Sequence, residues 1–152
     1  RGWSYGASFR IAHARGPSWL RASLAPATEV AADALALALE MFEDLARRGI
    51  TADELALAKS YLSGSLPFSL ATAHQRMHVA ISEDLLGLAP GFIHREAELV
   101  AQTTLEDANR VASAHLFPDD ALAVVVCTAE KLAPQLERVG LAPTAIIPYD
   151  KD

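Results

Sequence analysis

The sequence is poor in cysteine, since Cys127 is the only one among 152 residues. A single thiol excludes a disulfide within the chain and any metal site built from a cluster of cysteines. Long apolar runs are missing too, and none approaches the roughly 20 residues with which a helix crosses a bilayer. We therefore expect no membrane span.

Dense clusters of basic residues are also absent. The 13 lysines and arginines are dispersed and outnumbered by 19 aspartates and glutamates, which gives a formal net charge of -6. Nucleic-acid-binding domains usually present a basic patch or stripe, so we expect no nucleic-acid partner. The negative balance mildly favours cationic partners.

What is present is the composition of a globular protein. Hydrophobic residues make up 51% of the chain and charged residues 21%, and 152 residues can bury a core without disulfides or metals. The chain starts at Arg1 without an initiator methionine or a signal-peptide pattern. We expect it to be a segment of a longer protein, with any targeting signal outside it.

The N-terminal residues predict a β-hairpin. Large apolar side chains alternate with small or polar ones over residues 3–13, the period of a half-buried strand. Residues 15–18 then predict a turn, and residues 19–24 a second, antiparallel strand. Near the other end, the uninterrupted apolar run at residues 121–127 predicts a strand buried on both faces.

Apolar residues spaced three and four apart predict a layer of helices. The predicted helices cover residues 28–49, 51–65, 69–86, 92–102, 104–116 and 129–139. Thr28 and Thr104 are placed to cap two of them, and Thr51 with Glu54 forms a capping box. Pro67 is expected to break or kink the second helix. The apolar face of the first helix is predicted to be Val30, Ala34, Leu37, Ala38, Met41 and Leu45.

Together these elements predict an α+β fold in which an antiparallel or mixed sheet packs against a layer of helices. We expect one domain over residues 1–152. Pro134 falls inside the last predicted helix, where it is tolerated only near the first turn. Residues 117–120 predict a turn, and the chain after Gly140 is expected to be extended.

His74 and His78 stand four residues apart, the spacing that places two imidazoles on one face of a helix. Zinc-peptidase helices use this geometry, but they also carry a glutamate between or beside the histidines. Here Gln75, Arg76 and Met77 fill the interval, and a guanidinium disfavours a cation. A solvated or packed pair is the preferred interpretation.

The remaining motifs give no catalytic set. His94 with Glu96 and Glu98 has the wrong order for a zinc motif and suits an exposed charged face. The sequence has no G-x-S-x-G elbow, phosphate-binding loop or G-x-G-x-x-G pattern. Cys127 ends a predicted buried strand and is expected to be inert. We predict no catalytic residue and no metal ligand.

Tyr5 is the one candidate binding residue. It lies on the opening strand beside Gly6, and a strand glycine lets a ligand or another backbone approach closely. Tyr5 shares a face with Trp3 and Phe9, so simple core packing is the alternative.

The order of the segments resembles the pitrilysin/insulinase family of zinc metallopeptidases. Residues 1–6, R-G-W-S-Y-G, resemble that family's R-G-L-x-Y-G strand, with Trp3 in place of leucine. Residues 49–65 are similar to its G-x-T-x-x-E-L…A-K…L-x-G-S segment. Further similar segments follow in the family's order: residues 85–88, 103–107 and 118–126. The resemblance covers nearly the whole chain.

The resemblance implies a fold of homologous α+β units that face each other as a clamshell. One unit carries zinc on an H-x-x-E-H motif, and the other is non-catalytic and helps to hold the substrate. This chain resembles the second, C-terminal unit, in the bacterial and mitochondrial-processing branch. Tyr5 matches a tyrosine that reaches the substrate backbone, whereas the accompanying arginine would lie upstream of Arg1.

Two consequences follow from the resemblance. The unit's first strand and helix would also precede Arg1, so we expect a fold that is incomplete at the N-terminus and has an open sheet edge. The expected partners are the homologous catalytic unit, in the same chain or in another subunit, and an extended peptide substrate. Zinc is expected in that partner unit and no cofactor in this segment.

The first functional hypothesis is therefore the substrate-positioning half of a zinc metalloendopeptidase that cleaves peptides or small unfolded proteins. The second is a scaffold or assembly subunit of the same family without peptidase activity. A third is an unrelated α+β binding domain. In each case we expect a soluble protein, of the bacterial periplasm or the cytoplasm.

Overall fold

The computed structural model describes residues 1–12, 16 and 18–149. Strands β1 (Ser4–Ala12) and β2 (Trp19–Pro26) pair into one antiparallel sheet. Both strands confirm the predicted hairpin. The predicted turn between them, and His13 at the end of the first predicted strand, lie mostly outside the described residues.

Six α-helices follow the hairpin in the described part of the chain. They are α1 (Ala31–Arg48), α2 (Ala52–Ser69), α3 (Ala73–Leu86), α4 (Phe92–Gln102), α5 (Leu105–His115) and α6 (Ala129–Arg138). The structure is therefore α+β, as predicted. It divides into two compact units: Arg1–Arg10, Arg21–Ala46 and Phe117–Asp152 form the first, and Ile11–Leu20 with Arg47–Leu116 the second.

The core of the first unit lies between α1 and α6. Ala32, Leu132 and Leu136 are buried together. A bidentate ion pair covers this contact, because Arg138 Nη2 donates to Asp33 Oδ1 and Oδ2 at 2.9 and 3.0 Å. The sheet reaches α1 through Phe9 and Phe42, whose ring centroids are 6.4 Å apart.

The start and the buried face of α1 differ from the prediction. A 3₁₀ turn precedes the helix, and Val30 N–H donates to the Ala27 carbonyl at 3.1 Å. Thr28 is therefore inside the first turn and caps nothing, so its predicted role was wrong. Met41 is 63% exposed, whereas small residues are buried. The buried positions of α1 are Ala32, Ala34 and Ala46.

The capping boxes organise the second unit. Thr51 N–H donates to Glu54 Oε2 at 2.8 Å, and Glu54 N–H donates to Thr51 Oγ1 at 3.3 Å, as predicted. The hydrogen bonds from Thr51 lower the pKa of Glu54, the backbone one most. Further along α2, Lys59 Nζ donates to the Ala101 carbonyl at 2.8 Å, which ties α2 to the C-terminal end of α4.

Pro67 does not end α2, so the predicted end of this helix near residue 65 was wrong. The helix continues to Ser69 and contains Pro67 in its last turn. A proline there removes only one hydrogen bond, and Leu70 N–H closes the end by donating to the Pro67 carbonyl at 3.3 Å. Helix α3 consequently starts later than predicted, after a capping box of Thr72 and Gln75.

The later helices follow the sequence signals. Helix α4 has the predicted bounds, and Thr104 caps α5 by accepting from Asp107 N–H at 3.0 Å. Gly140 follows α6 with φ +77°, the left-handed conformation expected after a helix. Pro134 lies beyond the first turn of α6, and the helix continues through it.

Residues 121–127 are not a strand, which corrects the prediction of a buried one. They form no regular secondary structure and are exposed, with Val126 at 98% and Cys127 also open to solvent. An apolar segment becomes a buried strand only beside another strand. Within residues 1–12 and 18–149, β1 and β2 pair only with each other.

One asparagine fixes the connection that precedes α2. Asn109 Oδ1 accepts from Ile50 N–H at 2.7 Å, and Asn109 Nδ2 donates to the Ile50 carbonyl at 3.1 Å. Gly49 has φ +70°, and a Cβ there would collide with the Asn109 amide. Position 49 therefore requires glycine, both because its φ is positive and because the Asn109 amide occupies the space of a Cβ.

A buried carboxylate fixes the start of α4. Glu83 on α3 is only 9% exposed and accepts from Gly91 N–H and Ile93 N–H, both at 2.9 Å. These two backbone hydrogen bonds, that of Ile93 first, hold the pKa of Glu83 below its ordinary value. The positive charges of His94 and Arg95 add to the effect. A carboxylate at a helix N-terminus also faces the positive end of the dipole.

We expect Asn109→Ala to lower the free energy of unfolding by about 1–3 kcal/mol, because both polar groups of Ile50 lose a partly buried partner. Urea denaturation measures the change. Ser113→Ala on the same helix is the control, since the exposed Ser113 hydroxyl only donates to the Arg110 carbonyl. Equal stability of the two variants would contradict the anchoring role of Asn109.

Glu83→Gln is expected to destabilise the protein at pH 7 and to make its stability less dependent on acid. A folded-state pKa below the ordinary value gives stabilisation that is present above about pH 4.3 and is lost as the pH falls through the folded-state pKa. The gap between wild type and variant should therefore shrink below about pH 4. Melting temperatures from pH 7 to pH 3 test this, with the exposed Glu98→Gln as control. A gap that stays constant over this range would refute it.

Candidate functional site

Tyr5 lies on β1 with its side chain fully exposed, at 103% of the reference area. Core packing, the alternative for this residue, therefore does not describe it. Trp3 on the same strand face is half-buried, and the Arg1 guanidinium lies 5.1 Å from the centroid of its ring. Phe9 contacts α1 through Phe42 but remains more than half exposed.

The backbone around Tyr5 is held by Ser4. Ser4 Oγ accepts from Ala25 N–H on β2 at 3.0 Å and donates to the Gly6 carbonyl at 2.5 Å. One hydroxyl thus joins the two strands and fixes the residues on either side of Tyr5. Because the backbone that carries Tyr5 is held in this way, it needs little reorganisation when a ligand binds.

The outer edge of β1 is open in the structure as described, because β2 is the only strand paired with β1 there. Gly6 lies on this strand with no atom within 4 Å of where its Cβ would be, and its φ is not positive. Neither packing nor backbone conformation therefore requires glycine at position 6. The space beside it can accept a second backbone.

The hairpin also carries exposed arginines that the sequence reading did not single out. Arg1, Arg10 and Arg21 are all exposed, and none of them forms an ion pair within the described part of the chain. Arg21 Nε instead donates to Ser23 Oγ at 3.2 Å. A count by segment would have found this feature, since the first 28 residues contain four arginines and no acidic residue.

The histidines do not assemble a metal site. His74 and His78 lie exposed on α3, and His78 Nδ1 is 3.5 Å from Ser82 Oγ. His94 is exposed on α4. Over residues 1–12, 16 and 18–149, no three histidine, cysteine, aspartate or glutamate side chains are grouped so that they could hold a metal ion.

A groove of about 250 Å³ lies between α2 and α4. Its lining is mainly apolar and includes Leu62, Leu66, Ile93, Ala97 and Val100. Three serines also line it, and two of them donate to the helix backbone: Ser65 Oγ to the Leu62 carbonyl at 3.1 Å and Ser69 Oγ to the Leu66 carbonyl at 2.7 Å. The hydroxyl protons of Ser65 and Ser69 are therefore not shared with a base, as a nucleophile would require.

Among the helices of the described residues, none combines the length and the apolar character that crossing a bilayer requires. A scan against protein-family models found no match to the chain, and a search of curated proteins found none either.

The surface that combines an exposed aromatic side chain, an open strand edge and unpaired cations is the outer side of β1.

Proposed function

We propose that this chain is the non-catalytic, substrate-positioning half of a zinc metalloendopeptidase of the pitrilysin/insulinase type. The observation that carries the proposal is the placement of Tyr5, fully exposed on a strand whose outer edge has no partner in the described residues. The order of sequence segments, from R-G-W-S-Y-G onward, supports the same family.

The substrate in this proposal is an extended peptide that adds to β1 as a further strand. Strand addition obtains affinity from main-chain hydrogen bonds, which do not depend on the side chains of the peptide. The Tyr5 hydroxyl then donates a hydrogen bond to a peptide carbonyl and fixes its position along the strand.

The cleavage chemistry belongs to a homologous partner unit, in the same chain or in another subunit. There, zinc and a glutamate base would activate water for attack on the peptide carbonyl. The present chain contributes orientation, because a carbonyl fixed by strand pairing and by Tyr5 is held in one place relative to that unit.

An assembly subunit without peptidase activity is the second candidate, and one observation favours it. Few apolar side chains are buried among the described residues, namely Ala32, Ala34, Ala46, Leu132 and Leu136. Residues 121–127, in contrast, are apolar and exposed. Exposed apolar surface of this kind suits a permanent partner whether or not a peptide is cleaved.

Tyr5→Phe in the parent protein, with its partner unit, is expected to lower kcat/KM for peptide cleavage by about three- to tenfold, the worth of one hydrogen bond. Cleavage of a fluorogenic peptide measures it. Tyr61→Phe is the matched control, an exposed tyrosine on α2, and should leave kcat/KM unchanged. If both variants cleave like wild type, Tyr5 has no such role. A parent that cleaves no peptide supports the assembly subunit instead.

The chain itself is expected to bind no structural zinc, since a structural site needs four ligands and the His74/His78 pair offers two. After incubation with zinc and dialysis, metal analysis should find substoichiometric zinc, and His74→Ala should not change the amount. One tightly bound equivalent that disappears in His74→Ala would overturn this expectation.

A further inference from the structure

Charge is distributed very unevenly along this chain. The first 28 residues have four arginines and no aspartate or glutamate, a formal charge of +4. The remaining 124 residues carry all 19 acidic residues and nine basic ones, a formal charge of -10. The hairpin and its flanks are therefore cationic on a protein that is otherwise acidic.

The described arginines of this segment keep their charge available. Arg1, Arg10 and Arg21 are exposed, and within residues 1–12, 16 and 18–149 no carboxylate pairs with them. Two arginines elsewhere are paired with carboxylates, Arg138 with Asp33 at 2.9 Å and Arg110 with Asp107 at 3.1 Å. The guanidinium groups of the hairpin thus retain donors for a ligand.

We propose that the outer edge of β1 takes an extended acidic peptide, with its carboxylates against Arg1 and Arg10 and its apolar side chains against Tyr5. This inference rests on the strand addition proposed above and assigns the chemical class of the peptide. Strand β1 has nine residues, or about 30 Å of edge, which is long enough to pair with a peptide of similar length.

A peptide fits this surface better than a nucleic acid, although both are anionic. The open edge presents backbone N–H and C=O groups in alternation, and a second extended backbone can satisfy both kinds. A phosphate backbone supplies acceptors only. A nucleic acid longer than the hairpin would also meet the acidic remainder of the protein.

The acidic remainder does not prevent binding at physiological salt. The Debye length is about 8 Å at 0.15 M ionic strength, so charges farther from the ligand are largely screened. A carboxylate beside Arg10 interacts mainly with that arginine. The local +4 charge then decides which peptides bind, and the net charge of -6 does not.

The test measures binding to the full chain by fluorescence anisotropy at 0.15 M salt. The probes are two labelled decapeptides, one alternating glutamate with valine and the other lysine with valine. We expect the glutamate peptide to bind at least about tenfold more tightly, from several exposed pairs worth about two- to fivefold each. Arg1→Gln and Arg10→Gln should each weaken its binding by about two- to fivefold. Arg110→Gln, with the same change in charge on α5, should not.

Backbone N-methylation of the peptides at alternate residues separates this inference from the strand addition beneath it. A methylated nitrogen cannot donate to a carbonyl of β1, so we expect methylation to weaken the binding of both peptides. If methylation weakens binding while the lysine peptide binds as tightly as the glutamate peptide, the acidic class is wrong and strand addition stands.

Two further outcomes are decisive. If neither peptide binds, or if backbone N-methylation leaves the affinity of both unchanged, strand addition at β1 fails and the inference fails with it. A single-stranded DNA decamer that binds more tightly than the glutamate peptide, and is weakened by Arg10→Gln, would overturn the proposal in favour of a nucleic acid.

Discussion

A β-strand with a neighbour on one side leaves half of its backbone N–H and C=O groups, those on its outer edge, without a protein partner, and this constraint decides where the molecule can bind. Strand β1 pairs with β2, and no other strand of the described residues joins them. The apolar residues 121–127 likewise have no strand beside them and remain exposed. The proposed binding surface is therefore also the strand edge whose backbone groups have no strand partner. A further strand at β1 would satisfy these groups, which otherwise contact water.

Helices escape this constraint, because each one satisfies its backbone within a single segment, and this is why they were predictable. The capping box of Thr51 and Glu54, the cap at Thr104 and the bounds of α4 all follow from residues within one turn of the helix ends. Even the late start of α3 had a local signal in Thr72 and Gln75. The end of α2 was predicted too early, because the effect of Pro67 depends on its distance from the helix end, and the proline does not itself reveal that distance.

The errors concern contacts between distant residues. The pattern of residues 121–127 is that of a buried strand, but a pattern cannot supply the neighbour that burial requires. Met41 has the spacing of a core residue and is exposed, while the small residue Ala32 is buried against Leu132 and Leu136 of α6. For the site, alternation placed Tyr5 correctly on a strand, but its exposure depends on what the sheet packs against. The sequence could have predicted the cationic hairpin if charged residues had been counted segment by segment and not only over the whole chain.

The difference between local and total charge has a consequence for partner choice. A net charge of -6 favours cationic partners at long range, and the arginines of the hairpin favour anionic ones at contact. Screening separates the two effects, since the Debye length falls from about 30 Å at 0.01 M to about 8 Å at 0.15 M ionic strength. At low salt the acidic remainder opposes the approach of an acidic peptide. At physiological salt the arginines beside β1 act almost alone, so raising the salt from low values should first favour binding and then weaken it as the close pairs are screened in turn.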